Sequence, residues 1–279
     1  MKAVVFDGKK LAGRIKSHLR GKMNRLKLKP LIVSVSAGAS RASDAYISRQ
    51  ERSCREVGIE YRKIKFPASA DERTIIKKIE ELNSDRKVTG IIVLLPLPSG
   101  ISALEVHRRI RAEKDIEGVN PDNTGLLARG KAIMPPCTAA AVMAILKSAK
   151  CRPGGKNAVI VGCSDIVGKP LAMMLLAENA TVTVCNIKTG NLASHTKKAD
   201  ILIAAAGAKN LIKASMIKSG ATVIDVGFNV AKHGICGDVD FKGAVKKASF
   251  ITPVPGGVGP VTAYQLLTNA VRAAELQKI

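Results

Sequence analysis

The sequence predicts an α/β protein of two domains, each built on a largely parallel sheet. Short apolar runs alternate with segments of helical periodicity along nearly the whole chain, a pattern typical of parallel strands covered by helices. The alternation is interrupted at Pro135 and Pro136 and then restarts, so we place the domain boundary there. With 279 residues, 46% of them hydrophobic, the chain can bury one or two cores.

The first half alternates three helices with three strands. Apolar residues recur at three- and four-residue spacing after Lys9, which predicts an amphipathic first helix whose charges form a solvated face. Pro96 and Pro98 end the third strand, because proline removes a donor from the ladder. The predicted helices cover residues 9–26, 44–57 and 72–83, and the strands cover 31–36, 61–66 and 90–95.

The second half repeats the strand and helix alternation after a helix that begins near Thr138. Four short apolar segments are read as strands, with helices between the first three. A final helix is expected from about Thr262. The predicted strands of this half are 158–161, 181–185, 201–205 and 222–226.

The net charge of +23, from 45 Lys and Arg against 22 Asp and Glu, raises the possibility of a nucleic-acid-binding protein. Two observations oppose it: the basic residues are spread along the chain, and aromatic residues for base stacking are only 3%. A basic protein also attracts phosphorylated or polycarboxylate small molecules, so we expect no nucleic-acid partner.

The six cysteines show no CxxC spacing, and no export signal precedes them, so we expect free thiols in a reducing cytoplasm. The four histidines lack metal-ligand spacing, which argues against a metal site. No apolar run approaches the roughly 18 to 20 residues that would span a bilayer, so we expect no membrane partner.

A glycine turn follows the strand at 158–161 and leads directly into an apolar helix. This is the order of a dinucleotide-binding βαβ unit, in which Gly162 permits the tight turn and Gly168 the close helix packing. The free N–H groups of the helix N-terminus would bind pyrophosphate. Ser164 occupies the middle glycine position of GxGxxG, so the turn alone is also compatible with a purely structural connection.

Residues 252–262 contain three prolines and three glycines, which predicts a rigid loop unsuited to helix or strand. We expect it to face the same cleft as the glycine turn. Position 257 would require glycine because its backbone has a positive φ or because a ligand approaches it closely. The simpler alternative is a tight connection before the last helix.

These motifs together resemble the methylenetetrahydrofolate dehydrogenase/cyclohydrolase family. The resemblance implies a folate-binding catalytic domain at 1–136, completed by the helix at 262–279, and a Rossmann-like doubly wound dinucleotide-binding domain at 137–261. It also implies a homodimer and a folate substrate held at Pro253, Gly256 and Gly257. The matching segments are 7–12, 43–46, 90–98, 114–118, 136–138, 162–170, 225–227, 237–239 and 253–262.

The cofactor is predicted to be NADP, with NAD the less favoured choice. An NAD enzyme usually carries an Asp or Glu about 20 residues beyond the glycine turn, and residues 181–199 contain none. Lys188, with Lys197 or Lys198, would offset a 2′-phosphate, although some NADP-using relatives have Arg at the place of Cys163. The predicted cofactor-binding residues are Gly162, Cys163, Ser164, Ile166, Val167, Lys188, Gly207 and Phe228.

The resemblance assigns the folate site to Tyr46, which orients the ring, and to Glu117, a charge-assisted acceptor for the pterin. The family lysine that follows this tyrosine is replaced by Gln50, and the family glutamine of the third strand by Leu94. We expect Asp115 to be a structural cap and Asp225 and Asp238 to be turn residues.

Hydride transfer from the methylene carbon needs positioning, whereas hydrolysis of the methenyl product needs a placed acid or base. Gln50 and Leu94 cannot move a proton, so the sequence predicts an NADP-dependent methylenetetrahydrofolate dehydrogenase with weak or absent cyclohydrolase activity. The alternatives are a fully bifunctional enzyme, in which Arg49 or Arg52 substitutes for the lysine, and a nucleic-acid-binding protein.

Overall fold

A computed structural model describes residues 3–38, 41–231 and 234–278, and only the backbone of residues 41–46 and 231. The chain divides into two compact units. The first comprises the residues up to Gly13 together with Thr138–Thr262, and we call it the six-stranded unit. The second comprises Arg14–Cys137 with Ala263–Ile279, and we call it the three-stranded unit.

The six-stranded unit is a parallel, doubly wound sheet with the strand order β1-β11-β8-β7-β5-β6. Its strands are rich in Val and Ile and are mostly buried, as expected for parallel strands covered on both faces. The strands are β1 (Val4–Val5), β5 (Asn157–Val161), β6 (Thr181–Cys185), β7 (Ile201–Ala204), β8 (Thr222–Asp225) and β11 (Phe250–Ile251).

Short helices and one hairpin complete this unit. The antiparallel hairpin is formed by β9 (Asn229–Ala231) and β10 (Gly234–Cys236). The helices are α6 (Cys137–Ser148), α7 (Gly168–Ala177), α8 (Leu192–Thr196) and α9 (Phe241–Ala244), with a 3₁₀ turn at Ala214–Met216.

The three-stranded unit has a parallel sheet of order β3-β2-β4, formed by β3 (Glu60–Phe66), β2 (Leu31–Ala37) and β4 (Gly90–Val93). All seven residues of β2 are buried, because helices cover both faces of this central strand. The remaining helices of the chain are α1 (Gly8–Leu26), α2 (Arg41–Val57), α3 (Glu72–Ser84), α4 (Ala103–Arg108), α5 (Pro121–Ala128) and α10 (Val258–Gln277).

The two faces of the three-stranded sheet form separate cores. Val33 and Val35 pack with Ile75 and Ile79 of α3. The opposite face carries Ile32, Tyr61, Ile92 and Leu94, which pack against Ile47 and Cys54 of α2 and against the second half of α10. Side chains alternate between faces along a strand, so the register of β2 with β3 and β4 decides which residues reach this second face.

The two-domain α/β fold predicted from the sequence is confirmed, and the seven predicted strands are present within two residues of their expected bounds. Short elements were missed: β1, β11 and the hairpin, together with α4, α5 and α9. Strands of two or three residues lack a readable period, so the sequence contains no distinct signal for them.

Two expectations about the chain ends are corrected. The residues up to Gly13 belong to the six-stranded unit, because Val4–Val5 pairs with Phe250–Ile251. The last helix begins at Val258 rather than near Thr262. Pro260 is tolerated in its first turn, where an N–H group would have no intrahelical partner.

A buried threonine joins two neighbouring strand ends of the six-stranded sheet. The Thr252 hydroxyl accepts a hydrogen bond of 2.7 Å from the Asp225 N–H and lies 3.3 Å from the Asp225 carbonyl oxygen, to which it donates. Thr252 is fully buried, so no water can replace it at the Asp225 amide.

We predict that Thr252→Val destabilises the protein by about 1 to 3 kcal/mol, because it leaves a buried N–H without a partner. Urea unfolding monitored by circular dichroism measures this loss. Thr268→Val is the matched control, since the Thr268 hydroxyl donates at 2.8 Å to the carbonyl of Tyr264, four residues earlier in the same helix. Equal stability of the two variants would contradict the assigned role of Thr252.

Candidate functional site

The predicted cofactor-binding segments lie at one edge of the six-stranded sheet. All strands of this sheet are parallel, so the segments that follow β5, β7, β8 and β11 emerge at the same carboxyl edge. The chain passes from β5 to β6 on one side and then to β7 on the other side of β5. Ligands of doubly wound sheets bind at such a reversal, outside the carboxyl ends of the strands.

The glycine turn after β5 is closed too tightly for side chains at two positions. Gly162 has φ of 119°, and a Cβ there would overlap the carbonyl of Ala205. A Cβ on Gly168 would overlap the carbonyl of Gly162. Helix α7 begins at Gly168 without a side-chain cap, so its first turn presents backbone N–H groups to an anion.

The other predicted residues of this turn differ in exposure. Cys163 and Val167 are half-buried, whereas Ser164 and Ile166 are exposed beside them. Their side chains therefore border the turn and do not fill it.

The segment after β6 contains Lys188, the residue predicted to bind the 2′-phosphate of NADP. Asn186, Ile187 and Lys188 are exposed directly beyond the end of β6. The Lys188 N–H donates to the Asn186 side chain at 2.9 Å, which fixes this turn. Strand β6 is thus followed by a lysine, and residues 181–199 contain no Asp or Glu.

Two buried carboxylates organise the loops after β7 and β8. Asp238 accepts from the N–H groups of Ala206 at 2.6 Å and Gly207 at 2.9 Å. Asp225 accepts from those of Gly227 at 2.9 Å, Asp238 at 3.0 Å and Val239 at 2.9 Å. Burial raises the pKa of Asp225 to about 6, so it is mainly ionised at neutral pH.

This network corrects the interpretation of Asp225 and Asp238 as simple turn residues. They fix the backbone on which the predicted cofactor residues Gly207 and Phe228 lie, and Phe228 is 63% exposed there. Gly227 is required because a Cβ would overlap the Asp238 carboxylate. The repeated pattern of Asp225-Val226-Gly227 and Gly237-Asp238-Val239 was the available sequence signal.

The loop after β11 is rigid for a reason that differs from the expectation. Gly256 has φ of 103° and open space around its Cα, so it is the residue that needs glycine for its backbone. Gly257 does not have the positive φ offered as one explanation for it. A side chain is excluded there by the protein itself, since a Cβ would lie 2.5 Å from the Pro253 carbonyl oxygen and 2.8 Å from the Thr252 side chain. The Gly8 N–H donates to the Gly256 carbonyl at 3.0 Å and holds the loop against the start of α1.

A second group of predicted residues lies in the three-stranded unit. Gln50 of α2 and Leu94, which follows β4, are each 6% exposed. The Gln50 Oε1 accepts a hydrogen bond of 2.8 Å from the hydroxyl of Tyr61 on β3. Tyr61 was not identified from the sequence as a candidate site residue. The alternation of side chains along β3 was the available signal, because it places Tyr61 on the sheet face that packs against α2. The side chain of Tyr46 lies outside the described part of the chain.

Glu117 lies in a loop that is fixed by the neighbouring Asp115. Asp115 is fully buried and accepts from the N–H groups of Gly118 at 3.1 Å and Asn120 at 2.8 Å, and from the Asn123 amide at 2.9 Å. These bonds agree with a structural role for Asp115. Gly118 has φ of 74° in the same turn.

Burial raises the pKa of Glu117 to about 8, and the nearby charge of Asp115 adds to this effect. A hydrogen bond from the Val93 N–H acts in the opposite direction without cancelling it. The expected charge-assisted acceptor is therefore mainly a neutral carboxylic acid at pH 7 before any ligand binds. Its proton can be donated to a ligand acceptor or exchanged near neutral pH.

Two further properties concern the described residues only. Residues 3–38, 41–231 and 234–278 contain no group of three or more His, Cys, Asp or Glu side chains arranged to hold a metal ion. Among the helices of these same segments, none has the length and apolar character needed to cross a bilayer.

We predict that Glu117 makes stability fall as pH rises from about 5 to 8. Its pKa is raised on folding from an ordinary value of 4.5 to about 8, so the folded state holds more protons in this window. Glu117→Gln should flatten the pH dependence of the unfolding free energy and be more stable than the parent at about pH 8.5. Glu80→Gln, at an exposed glutamate, is the control, and unchanged slopes for Glu117→Gln would contradict the raised pKa.

Comparison with known proteins places both units in one family. The family model described as "Tetrahydrofolate dehydrogenase/cyclohydrolase, catalytic domain" matches residues 6–117. The model described as "Tetrahydrofolate dehydrogenase/cyclohydrolase, NAD(P)-binding domain" matches residues 136–278.

Full-length relatives agree with these matches. The chain is 46% identical to "Bifunctional protein FolD" of Moorella thermoacetica, over 98% of this chain and 99% of the relative. The solved bifunctional FolD of Campylobacter jejuni superposes with a TM-score of 0.96 at 41% identity, over 98% of this chain and 99% of that one. The Trypanosoma brucei enzyme, solved with NADP cofactor and inhibitor, has a TM-score of 0.93 at 34% identity, over 99% and 98%. The chain belongs to the tetrahydrofolate dehydrogenase/cyclohydrolase family.

Proposed function

We propose that the chain oxidises 5,10-methylenetetrahydrofolate to the methenyl compound with NADP as the hydride acceptor. The observation that carries the proposal is the presence in one chain of two features: a pyrophosphate-type glycine turn at the sheet reversal, and a polar cluster of buried Gln50 with half-buried Tyr61 and Glu117. Family membership identifies the substrate class, and the name of the Trypanosoma brucei structure supports NADP.

The six-stranded unit is proposed to bind the cofactor through backbone groups. The first turn of α7 offers N–H donors to the pyrophosphate. Gly162 and Gly168 let the turn close beneath this site, because a Cβ at either position would overlap the protein backbone. The Asp225 and Asp238 carboxylates hold the loops around Gly207 and Phe228 in place. Bound NADP supplies the site that accepts the hydride.

The three-stranded unit is proposed to hold the folate. Hydride leaves the carbon between N5 and N10 with both electrons of the C–H bond, and the lone pairs of those nitrogens stabilise the positive charge left on the carbon, so no protein group has to titrate. The chain has to position the reacting carbon and exclude water, and this is the role proposed for the mainly neutral cluster. Glu117, mainly protonated at pH 7, is proposed to hydrogen-bond the pterin as donor or acceptor.

Hydrolysis of the methenyl product to 10-formyltetrahydrofolate is the second candidate function. The relatives from Moorella thermoacetica and Campylobacter jejuni carry the word bifunctional in their names, which favours it. Glu117 is the group of this cluster whose pKa, about 8, suits proton exchange near neutrality. Gln50 and Leu94 oppose it, since neither can serve as the acid or base of the family lysine. We propose that hydrolysis is the weaker activity.

The assembly and location are also proposals. A homodimer is proposed from the family resemblance, and Val230 on the β9–β10 hairpin, which is 84% exposed, is an apolar side chain that an interface would cover. The six cysteines are all free thiols, which supports a reducing cytoplasm. Nucleic-acid binding rests on charge alone, and an affinity for DNA that falls steeply with salt would be needed to favour it.

We predict that initial rates favour NADP over NAD, because Lys188 rather than a carboxylate follows β6. Lys188→Ala should raise KM for NADP about 5- to 20-fold and leave KM for NAD nearly unchanged, since only NADP carries the 2′-phosphate. Lys246→Ala removes another exposed charge, near the amino end of β11, and should change neither constant. A preference for NAD in the parent protein would contradict the cofactor assignment.

We predict that methenyltetrahydrofolate accumulates when the protein is given methylenetetrahydrofolate and NADP. Reduced cofactor and the methenyl absorbance are followed separately in one stopped assay. Gln50→Lys combined with Leu94→Gln should accelerate decay of the methenyl compound by about 10²- to 10⁴-fold, the usual effect of a placed acid or base.

Hydrolysis by the parent protein far above the buffer rate would establish the bifunctional alternative. In that case the pH profile of hydrolysis should show an ionisation near pH 8, and Glu117→Gln should abolish it while oxidation continues. Loss of neither activity in Glu117→Gln would direct the search to Arg49.

A further inference from the structure

The hydroxyl of Tyr61 makes a directed contact with the residue that stands in place of the family lysine. It donates to Gln50 Oε1 at 2.8 Å, and it also forms a hydrogen bond with Ser34 of the neighbouring strand. Ser34 is 1% exposed and Gln50 is 6% exposed. The three side chains therefore form a hydrogen-bonded series from β2 through β3 to α2, in which half-buried Tyr61 lies between two buried residues.

This series determines which end of the Gln50 amide is free. Because the tyrosine proton is donated to Oε1, the two N–H donors of Nε2 point away from Tyr61. Nε2 is buried and has no hydrogen-bond partner among the described residues. A buried amide donor without a partner costs about 1 to 3 kcal/mol, and such an atom in a binding site indicates a ligand acceptor.

We propose that Tyr61 is a positioning residue that fixes the Gln50 amide so that its Nε2 donates to a neutral oxygen or nitrogen acceptor of the folate substrate. The inference rests on the proposed function, which supplies the substrate class. It assigns a binding role to a residue pair in place of the proton-transfer role of the family lysine.

The chemistry of the pair agrees with binding and excludes proton transfer. An amide does not titrate, and burial, with smaller contributions from Cys54, Glu117 and Glu51, holds the pKa of Tyr61 above its ordinary value. Tyr61 thus remains a protonated phenol throughout the neutral range. Leu94 packs in the same apolar cluster as Tyr61, and a low-polarity surrounding strengthens hydrogen bonds.

The test is the loss of one hydroxyl, Tyr61→Phe, with folate binding and turnover both measured. We expect KM for methylenetetrahydrofolate to rise about 3- to 10-fold, the usual effect of one neutral hydrogen bond, with kcat within about twofold and KM for NADP unchanged. Tyr264→Phe is the matched control, because its hydroxyl also donates to one side chain, Glu56, at 2.9 Å, but on the exposed surface.

A double-mutant cycle separates positioning from packing. Gln50→Leu removes the amide, and in that background Tyr61→Phe should change KM for the folate by less than about twofold, since nothing remains to be positioned. An equal effect of Tyr61→Phe in both backgrounds, or an unchanged KM in a variant with the parent melting temperature, would overturn the inference.

Calorimetric binding of tetrahydrofolate without cofactor distinguishes this inference from the proposed function. If the parent binds tetrahydrofolate and Tyr61→Phe binds it equally well, the positioning role is wrong while the proposed function stands. If the parent binds tetrahydrofolate but does not reduce NADP when given methylenetetrahydrofolate, the proposed oxidation is wrong. The effect of Tyr61→Phe on tetrahydrofolate affinity then still decides the inference. If the parent binds no folate, both are wrong.

Discussion

The carboxylate network of Asp225 and Asp238 is the constraint on which the carboxyl edge of the six-stranded sheet depends. Five backbone N–H groups from three segments converge on these two side chains. Buried amides need partners, and two carboxylates satisfy them without adding bulk to the loops. The segments after β7 and β8 are thereby fixed at the same edge as the glycine turn, where a cofactor needs rigid backbone.

Close packing around glycine completes this arrangement. Gly227 lies against the Asp238 carboxylate, and Gly237 lies against that of Asp225, so a side chain at either position would displace the network. Gly162 and Gly168 have the same relation to the turn after β5. The conformation of the loops at the carboxyl edge of the sheet is therefore fixed by close backbone packing and by the two buried aspartates. The exposed side chains of these loops contribute little to it.

The polar cluster of the three-stranded unit follows a different principle. Gln50 and Tyr61 are neutral, and Glu117 is mainly protonated at pH 7 because burial opposes its charge. Such a cluster can orient a substrate by hydrogen bonds with little charge to desolvate. Oxidation requires positioning alone, whereas hydrolysis requires a proton to move. The proposal that Gln50 in place of the family lysine affects the two reactions unequally rests on this difference.

The sequence by itself determined the fold class, the succession of the main strands and helices and the identity of most residues at the sheet edge, because periodicity and glycine spacing are local properties. The two-residue strands, the start of α10 at Val258 and the positive φ of Gly256 were decided by tertiary contacts. The hydrogen bonds of Tyr61 and of the two aspartates became visible only in the structure, since hydrogen bonds between strands and loops leave no period in the sequence. The raised pKa of Glu117 arises in the same way, from burial by residues distant along the chain.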